Sequence, residues 1–511
     1  MSTSFKSKMT RFQLILIFLM TAGFALRMRD LGVQSLWLDE AISSIAATAL
    51  LKNGMPILPS GILYYRGILN TFLIASSFKI FGVNEFAARL PSVLFGTLTI
   101  LLVYIIGSRW GNRRVGIIVA FLVAFSVWEI AWSRQARMYQ QLQFFYILSL
   151  YLFYGFIQNK NMKNVILLFF SVLGAIMSHV FGYALIVVFL IYLIVSTLKE
   201  RSSLERMGKK TIAMVLLVFG ASLALAYSTG VIPSVLKTDI NYYNTYIGIL
   251  KRDLGIFLFL AVPGGTVLVN RDWKKGLLLI AALIIPLYFI FFHVLMLGTR
   301  YLYFVVPILF ILTAYFLDFV VDCLRFAFSK AGNFLISRNS DRLTANIIVV
   351  LLLVLAMYLS PAFTFTPKEK YSLGINAPQS NFRDAYVYVK ENMQPDDVII
   401  SAWTPPAQFY LGKSDYWLAF NVVGTGIDSF MVNNTSCEIY TNATVIENVD
   451  GLEIVTKEYD RGWIVVDNLA WYKLSPELRD YIDTNTEQKL HDATIRVYKW
   501  SGGRVIRDYS T

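Results

Sequence analysis

The sequence contains few of the residues that bind metals or form disulfides. Among its 511 residues are three histidines and two cysteines, Cys323 and Cys437. A zinc site needs a cluster of such ligands, and these residues are scattered, so the sequence implies neither a metal site nor another cofactor. Charged residues are also scarce, since Asp, Glu, Lys and Arg together make up 15% of the chain.

The chain contains many long apolar runs. Hydrophobic residues make up 56% of the chain, and many runs have the length that spans a bilayer. The net charge of +13 does not indicate nucleic-acid binding, because most Lys and Arg residues lie in short loops between these runs. Basic loops of that kind set membrane topology. The sequence therefore predicts a polytopic α-helical membrane protein.

The basic loops also predict which ends of the spans face the cytoplasm. Lys6, Lys8 and Arg11 place the N-terminus inside. The later basic loops fall inside as well if Leu63 to Phe81 lies along the membrane interface instead of crossing it. We therefore predict a first external loop over residues 28–88 with interfacial helices, within a module over residues 1–360 that has about eleven transmembrane helices. The spans given limits are Phe12–Leu26, Leu90–Gly107, Val115–Ile130, Gln140–Ile157, Thr211–Tyr227, Gly276–Met296 and Ala345–Ser360, and Ser228–Asp253 is predicted as an external loop.

Residues 361–511 contain no apolar run of spanning length. Asn381–Asn392 has a helical period, whereas Val398–Ile400 and Trp463–Val466 have the pattern of buried strands. Ser475 followed by Pro476 predicts the start of another helix. We expect a soluble α/β domain here, on the external side of a cell membrane together with the active site.

Polar side chains gather at the predicted external ends of the spans. Each has a simple explanation when taken alone: arginines at helix ends reach lipid headgroups, and Asp39 with Glu40 can cap a helix over Ala41–Leu51. Taken together they suggest a site. The group consists of Asp39, Glu40, Tyr64, Tyr65, Arg66, Arg134, Arg137, Tyr139, His179, Arg300 and Tyr301.

A carboxylate facing arginines suits the transfer of a sugar from a lipid-linked phosphate. Asp39 can take the proton of an acceptor hydroxyl that attacks the anomeric carbon, and Glu40 can orient Asp39 or the acceptor. The leaving phosphate needs fixed positive charge, which Arg134 and Arg137 can supply through paired contacts. The candidate substrate contacts are Tyr64, Tyr65, Arg66, Tyr139, His179 and Tyr301.

Five stretches resemble the GT-C superfamily of polyprenyl-phosphate-sugar transferases, in the branch of protein O-mannosyltransferases and aminoarabinose transferases. They are Trp37–Ala41, Phe81–Ser92, Arg113–Gly116, Trp132–Tyr139, and Arg300–Tyr301 ahead of Pro307. The resemblance implies that Asp39 is the catalytic base with Glu40 beside it, and that the first external loop carries juxtamembrane helices. It also implies that Arg300 contacts the donor phosphate.

The resulting prediction is an inverting glycosyltransferase that uses a polyprenyl- or dolichyl-monophosphate sugar and a protein, glycan or lipid acceptor. Two alternatives remain open. One is an oligosaccharyltransferase-type enzyme that uses a lipid diphosphate and a metal, although its Trp-Trp-Asp motif is absent. The other is a transporter or lipid flippase without chemistry, for which the sequence offers no inverted repeat.

Overall fold

The chain folds into two compact units, each built from separate stretches of sequence. A computed structural model describes residues 11–159, 162–199, 220, 241–294, 297–331, 338–363, 380–420, 427–432, 435–492 and 494–502. The helical unit comprises Met1–Arg29, Ser92–Arg134 and Met138–Asn376, and the sheet unit comprises Asp30–Pro91, Gln135–Arg137 and Ala377–Thr511. Both predicted catalytic carboxylates, Asp39 and Glu40, belong to the sheet unit.

Helices account for most of the chain before residue 360. Local chemistry sets several of their ends: Asn112 begins one helix by accepting hydrogen bonds from the amides of Arg114 and Val115, and Ser126 ends it with an extended ψ of 127°. The described helices are α1 (Arg11–Met28), α2 (Leu38–Asn53), α3 (Ile68–Phe81), α4 (Glu85–Trp110), α5 (Arg113–Phe125), α6 (Val127–Trp132), α7 (Tyr139–Asn159), α8 (Met162–Ser178), α9 (Ala184–Lys199), α10 (Tyr243–Arg271), α11 (Trp273–Phe292), α12 (Val306–Ala331) and α13 (Arg338–Tyr358).

The helical stretches confirm a multi-pass membrane protein. Six of those described are long and apolar enough to cross a bilayer, namely Arg11–Met28, Glu85–Trp110, Val180–Lys199, Tyr243–Arg271, Trp273–Phe292 and Thr299–Phe328. The predicted external loop Ser228–Asp253 is wrong at its end, because α10 already begins at Tyr243. The predicted span Thr211–Tyr227 lies outside the described residues, apart from Gly220, and the count of eleven spans stays a prediction.

The first loop of the sheet unit carries two helices, α2 and α3. Helix α2 starts at Leu38 and ends at Asn53, and the next residue, Gly54, has a φ of +73°, a left-handed conformation that glycine adopts readily. Helix α3 has 14 residues, about 21 Å at 1.5 Å per residue, which is shorter than a bilayer core of about 30 Å. Its length agrees with a helix that does not cross the membrane.

The C-terminal part of the sheet unit is a six-stranded mixed sheet with the strand order β3-β2-β1-β4-β6-β5. The first four strands in that order are parallel, and β6 pairs antiparallel with both β4 and β5. The elements are α14 (Phe382–Asn392), β1 (Val398–Ser401), α15 (Thr404–Tyr410), β2 (Tyr416–Leu418), β3 (Thr444–Ile446), α16 (Val449–Glu458), β4 (Arg461–Asp467), α17 (Asn468–Lys473), α18 (Pro476–Asn485), β5 (Glu487–His491) and β6 (Ile495–Ser501).

Both faces of this sheet are covered by helices. Along β4, Ile464 and Val466 belong to a core cluster with Leu478 of α18, whereas Trp463 and Val465 belong to a second cluster with Phe382 of α14. This alternation is the period of two that a strand buried on both faces requires. The predicted α/β domain is therefore confirmed.

Candidate active site

Asp39 lies in the first turn of α2, where the helix dipole favours a negative charge. The backbone before it is extended at Trp37. The Trp37 amide donates a weak 3.4 Å hydrogen bond to Oε2 of Glu40, so Glu40 contributes to the start of the helix. Glu40 thus takes part in capping α2, while Asp39 lies beside it in the first turn.

Glu40 is fully engaged by neighbours inside the sheet unit. The Arg89 guanidinium grips both of its carboxylate oxygens, with Nε 2.8 Å from Oε1 and Nη2 2.7 Å from Oε2. The Ala136 amide donates to Oε1 at 2.8 Å. The side chain of Glu40 is 1% exposed and that of Arg89 is 5% exposed. This buried pair holds α2 in place, and it occupies both carboxylate oxygens of Glu40.

Arg89 also donates hydrogen bonds to the backbone segment that leads into α2. Its Nη1 donates to the carbonyls of Leu31 and Gln34 at 2.9 and 2.7 Å, and its Nη2 donates to the carbonyl of Ser35 at 3.0 Å. One buried guanidinium therefore fixes both the approach to the helix and its first turn. Arg89 was not among the predicted site residues, although it lies in the stretch Phe81–Ser92 that carries the family resemblance.

Asp39, in contrast, keeps contact with solvent. Its side chain is 19% exposed, and its Oδ2 lies 3.5 Å from Nη2 of Arg137. Nη1 of Arg137 donates to the Asp39 carbonyl at 3.0 Å, to the Ser43 hydroxyl at 2.9 Å and to the Tyr64 hydroxyl at 3.2 Å. The structure thus brings together Asp39, Tyr64 and Arg137, which are 25 to 98 residues apart in sequence.

Tyr440 of the C-terminal domain completes this surface. It packs in one cluster with Tyr64 and with Leu38, the residue before Asp39. Burial raises the pKa of the Tyr440 hydroxyl, the charge of Arg66 lowers it, and the charge of Asp39 raises it, so both charged groups lie within its reach. Tyr440 was missed because no motif connects it to the first loop.

Arg66 and Tyr65 are exposed beside this group. Tyr65 is 67% exposed. The Arg66 side chain is also exposed, and its guanidinium makes neither an ion pair nor a hydrogen bond within the described ranges. Arg66 is therefore a cation at the Asp39 surface that is not committed to another side chain.

The remaining predicted residues belong to the helical unit. Arg134 directs Nη1 at backbone carbonyls of α1, including that of Arg27 at 2.7 Å. Tyr139, His179 and Tyr301 form one ring cluster, with centroids 5.5 Å apart for Tyr139 and His179 and 5.9 Å apart for His179 and Tyr301. The Arg300 guanidinium lies 5.2 Å from the centre of the Tyr301 ring. The functional roles of these five residues stay predictions.

Hydrogen bonds within the sheet unit tie the C-terminal domain to the first loop. The Leu36 amide donates to the Tyr410 hydroxyl at 2.7 Å, and that hydroxyl donates to Glu85 at 3.0 Å. Burial and the charge of Glu85 raise the pKa of Tyr410, so it stays a neutral donor. Arg383 adds an ion pair to Glu85 at 3.2 Å. The segment before Asp39 is thus held by α15 and α14.

Comparisons of sequence place part of the chain near known transferases. A model of the family described as dolichyl-phosphate-mannose-protein mannosyltransferase matches residues 66–227. An uncharacterised protein of Aquifex aeolicus is 28% identical over 158 residues, which are 30% of this chain. That match spans 31% of the relative's own length.

Comparisons of structure extend over nearly the whole chain. ArnT from Cupriavidus metallidurans bound to undecaprenyl phosphate is 15% identical, with a TM-score of 0.61 over 95% of this chain and 97% of that one. The oligosaccharyltransferase of Archaeoglobus fulgidus in its apo form is 13% identical, with a TM-score of 0.64 over 95% of this chain and 74% of that one. These likenesses show that the chain has the GT-C fold. The match to ArnT covers both chains almost completely and is a likeness of fold.

Proposed function

We propose that this protein is an integral-membrane inverting glycosyltransferase that uses a polyprenyl- or dolichyl-monophosphate sugar. The observation that carries the proposal is the partly exposed carboxylate of Asp39, which lies 3.5 Å from the Arg137 guanidinium, in the same first loop as the exposed cation Arg66. The charges of Asp39 and Arg66 both affect the pKa of the Tyr440 hydroxyl, which supports a common surface for the two residues. The bound undecaprenyl phosphate of the ArnT structure supports a lipid phosphate as the donor carrier.

Asp39 acts as the general base in a single displacement. The acceptor hydroxyl oxygen forms a bond to the anomeric carbon while the bond from that carbon to the phosphate oxygen breaks. The hydroxyl proton passes to the Asp39 carboxylate, and the bonding electrons leave with the lipid phosphate as a dianion. Attack opposite to the leaving group inverts the anomeric configuration. The proton on Asp39 is then released to water.

Arg137 positions the base, and Arg66 receives the phosphate. Arg137 already holds the carbonyl and carboxylate of Asp39 together with Ser43 and Tyr64, which suits orientation better than ligand capture. Arg66 is exposed and can give the bidentate contact that a phosphate favours. Arg134 and Arg300 belong to the helical unit and stay as predicted contacts of the donor. Glu40 supports Asp39 through α2 and does not touch substrate.

The active site and the C-terminal domain face the external side of the membrane in this proposal. The support is the distribution of basic residues, which places the N-terminus and the strongly basic loops in the cytoplasm. A lipid-linked donor is usable there without a nucleotide sugar. The acceptor hydroxyl belongs to a protein, a glycan or a lipid.

Replacing Asp39 tests the proposal directly. Asp39→Asn removes the base and keeps the shape, so the transfer rate from a radiolabelled polyprenyl-phosphate sugar should fall by about 10²- to 10⁴-fold. Asp396→Asn, a change at an exposed carboxylate of the same unit, should leave the rate unchanged. In the same assay Arg66→Gln should raise the KM for the donor more than it lowers kcat. A transfer rate in Asp39→Asn comparable to that of the wild type rules out Asp39 as the base.

An oligosaccharyltransferase-type reaction is the second candidate, because the fold likeness to the Archaeoglobus fulgidus enzyme is as strong as that to ArnT. That reaction would use a lipid diphosphate and a divalent metal. Transfer from a diphosphate donor that stops on addition of EDTA would favour it. Transfer from a monophosphate donor that EDTA leaves unchanged would favour the first proposal.

A further inference from the structure

A short hairpin over residues 55–65 follows α2 in the first loop of the sheet unit. Ile57 and Leu63 face each other across it as an antiparallel bridge pair. Backbone hydrogen bonds of 2.9 Å lie on both sides of this pair, and Gly61 turns the chain with a left-handed φ of +82°. Because successive side chains of an extended chain point to opposite sides, the hairpin has two distinct faces.

The inner face of the hairpin is part of the protein core. Leu58 and Tyr64 pack in one cluster with Ile42 of α2. Near the turn, the Ser60 hydroxyl donates to the Ile439 carbonyl at 2.5 Å, which fixes the hairpin to the C-terminal domain within the same unit. Both its arms and its turn are therefore held in place.

The outer face of the hairpin is also apolar, and it is exposed. An antiparallel pair that packs on a core by one face normally carries polar side chains on the other. Here the outer side chains are between 38% and 67% exposed, and they are Met55, Ile57, Ile62, Leu63 and Tyr65. A contiguous apolar surface of this kind marks a place where another molecule covers the protein.

The charges around the hairpin indicate what covers it. No charged residue lies between Lys52 and Arg66, and both of these cations are exposed. An apolar segment flanked by cations is typical of protein that lies in a membrane interface, where long basic side chains reach the headgroup phosphates. Tyr65, next to Arg66, has the amphipathic ring that favours the same depth.

The connections of the first loop keep the hairpin close to lipid. The chain enters this loop from α1 and leaves it into α4, and both helices are long and apolar enough to cross a bilayer. The loop is thus attached to membrane-crossing helices at both ends. Lipid hydrocarbon is the apolar material that is always present beside such a loop.

We propose that the outer face of the hairpin is inserted into the adjoining leaflet of the bilayer, with lipid acyl chains against Ile57 and Leu63 and with the flanking cations at the headgroups. This inference does not depend on sugar transfer. It has a consequence for the candidate site, because the Tyr64 hydroxyl on the inner face accepts a hydrogen bond from Arg137 at 3.2 Å. Insertion of the hairpin therefore fixes the depth of that arginine relative to the membrane.

Two other occupants explain the outer face less well. A second copy of the chain, docked by a two-fold contact through this face, would bring Lys52 and Arg66 of both copies together, and like charges in a contact are unfavourable. The polyprenyl chain of a lipid-linked donor offers the same hydrocarbon. It would leave the face in water whenever no donor is bound.

Spin labelling of the full-length protein in phosphatidylcholine–phosphatidylglycerol vesicles tests the insertion. In a background of Cys323→Ser and Cys437→Ser, a nitroxide is attached at Ile57→Cys or Leu63→Cys, and its collisions with oxygen and with a water-soluble nickel chelate are measured. Oxygen concentrates in hydrocarbon and the chelate stays in water. The ratio of oxygen to chelate collisions should therefore be about three- to tenfold higher at both positions than at Ile454→Cys.

Ile454 is the matched control because it is an apolar residue of the same unit that is 63% exposed. It lies on α16 between the charged Glu453 and Lys457, so its label should remain in water. In the protein labelled at Ile57→Cys, the added change Leu63→Asp places a charge on the outer face and should increase collisions with the chelate. Leu63→Met keeps the face apolar and should not.

Four results would overturn the inference. The first is a hairpin label that meets the chelate as often as the Ile454→Cys label does. The second is dipolar broadening that disappears on dilution with unlabelled protein, which would assign the face to a second copy. The third is low collision with both reagents, which would mean that protein covers the face. The fourth is protection from the chelate that arises only after undecaprenyl phosphate is added, which would assign the face to a donor chain.

Discussion

Two adjacent carboxylates in one helical turn have different environments because successive residues of a helix point about 100° apart. Glu40 turns into the protein and meets Arg89, whereas Asp39 stays 19% exposed beside Arg137. Glu40 therefore supports the structure, and Asp39 is the acid that we propose as the base. The acidic pair was evident from the sequence, but its division of roles depends on Arg89, 49 residues away.

The buried pair of Glu40 and Arg89 should be a major contributor to stability. Glu40→Gln leaves the Arg89 guanidinium buried without a counter-charge, so the free energy of unfolding should fall by about 3–5 kcal/mol. Thermal unfolding of the detergent-purified protein measures the change. Glu453→Gln, which breaks an exposed ion pair to Lys457, serves as the matched control and should leave the midpoint where it was.

A double replacement shows whether the loss arises from the pair itself. Glu40→Gln with Arg89→Gln removes both charges, and its loss of stability should be smaller than the sum of the two single losses. An unchanged midpoint in Glu40→Gln alone would contradict the structural role of this carboxylate.

At the scale of elements, the segment before α2 depends on α15. The Tyr410 hydroxyl both accepts from the Leu36 amide and donates to Glu85. Tyr410→Phe leaves the buried Leu36 amide without its acceptor and removes one of the donors to Glu85, which should cost about 1–3 kcal/mol of local stability. Hydrogen exchange of the amides between residues 31 and 37 should accelerate, and the transfer rate should decrease because Asp39 is less well held.

The exposed Tyr472 supplies the comparison for this change. Tyr472→Phe also removes one tyrosine hydroxyl of the same domain, and exchange between residues 31 and 37 should stay at the wild-type rate. Equal exchange rates in Tyr410→Phe and the wild type would mean that α15 does not hold this segment.

Helices and strands that carry a strong local sequence signal could be predicted. Strands that form only because they pair with a neighbouring strand could not. Ser475 does begin α18, where its hydroxyl accepts from the Leu478 amide. The three-residue strands β2 and β3 carry too few residues for a pattern and exist because they pair with β1 and with each other. The start of α10 was missed because its first part is amphipathic. The charged residues Lys251, Arg252 and Asp253 made that part resemble a loop.

At the scale of the whole chain, the sheet unit is assembled from Asp30–Pro91, Gln135–Arg137 and Ala377–Thr511. Composition separates the C-terminal domain from the spans near residue 360, and that boundary is visible in sequence. The association of that domain with the first loop is not, since it rests on contacts such as that between Ser35 and Ser380, 345 residues apart. The nearness of Tyr440 to Asp39 could not be predicted for the same reason.

Removing residues 377–511 should therefore abolish sugar transfer while the helical unit still inserts into the membrane. The truncated chain loses Tyr410, Arg383 and Tyr440, and with them the support of the segment that leads to Asp39. Size-exclusion chromatography in detergent reports on folding, and the polyprenyl-phosphate transfer assay reports on activity. A truncated protein that elutes as a single species and transfers sugar at the wild-type rate would refute this dependence.

The three-piece construction of the sheet unit limits how relatives of this protein can be recombined. A chimera that exchanges only residues 377–511 would bring in partners for Leu36, Glu85 and Ser35 that were selected against a different first loop. In such a chimera Asp39, the proposed base, would be misaligned even if the new domain folded well. A successful graft therefore has to move residues 30–91, 135–137 and 377–511 together.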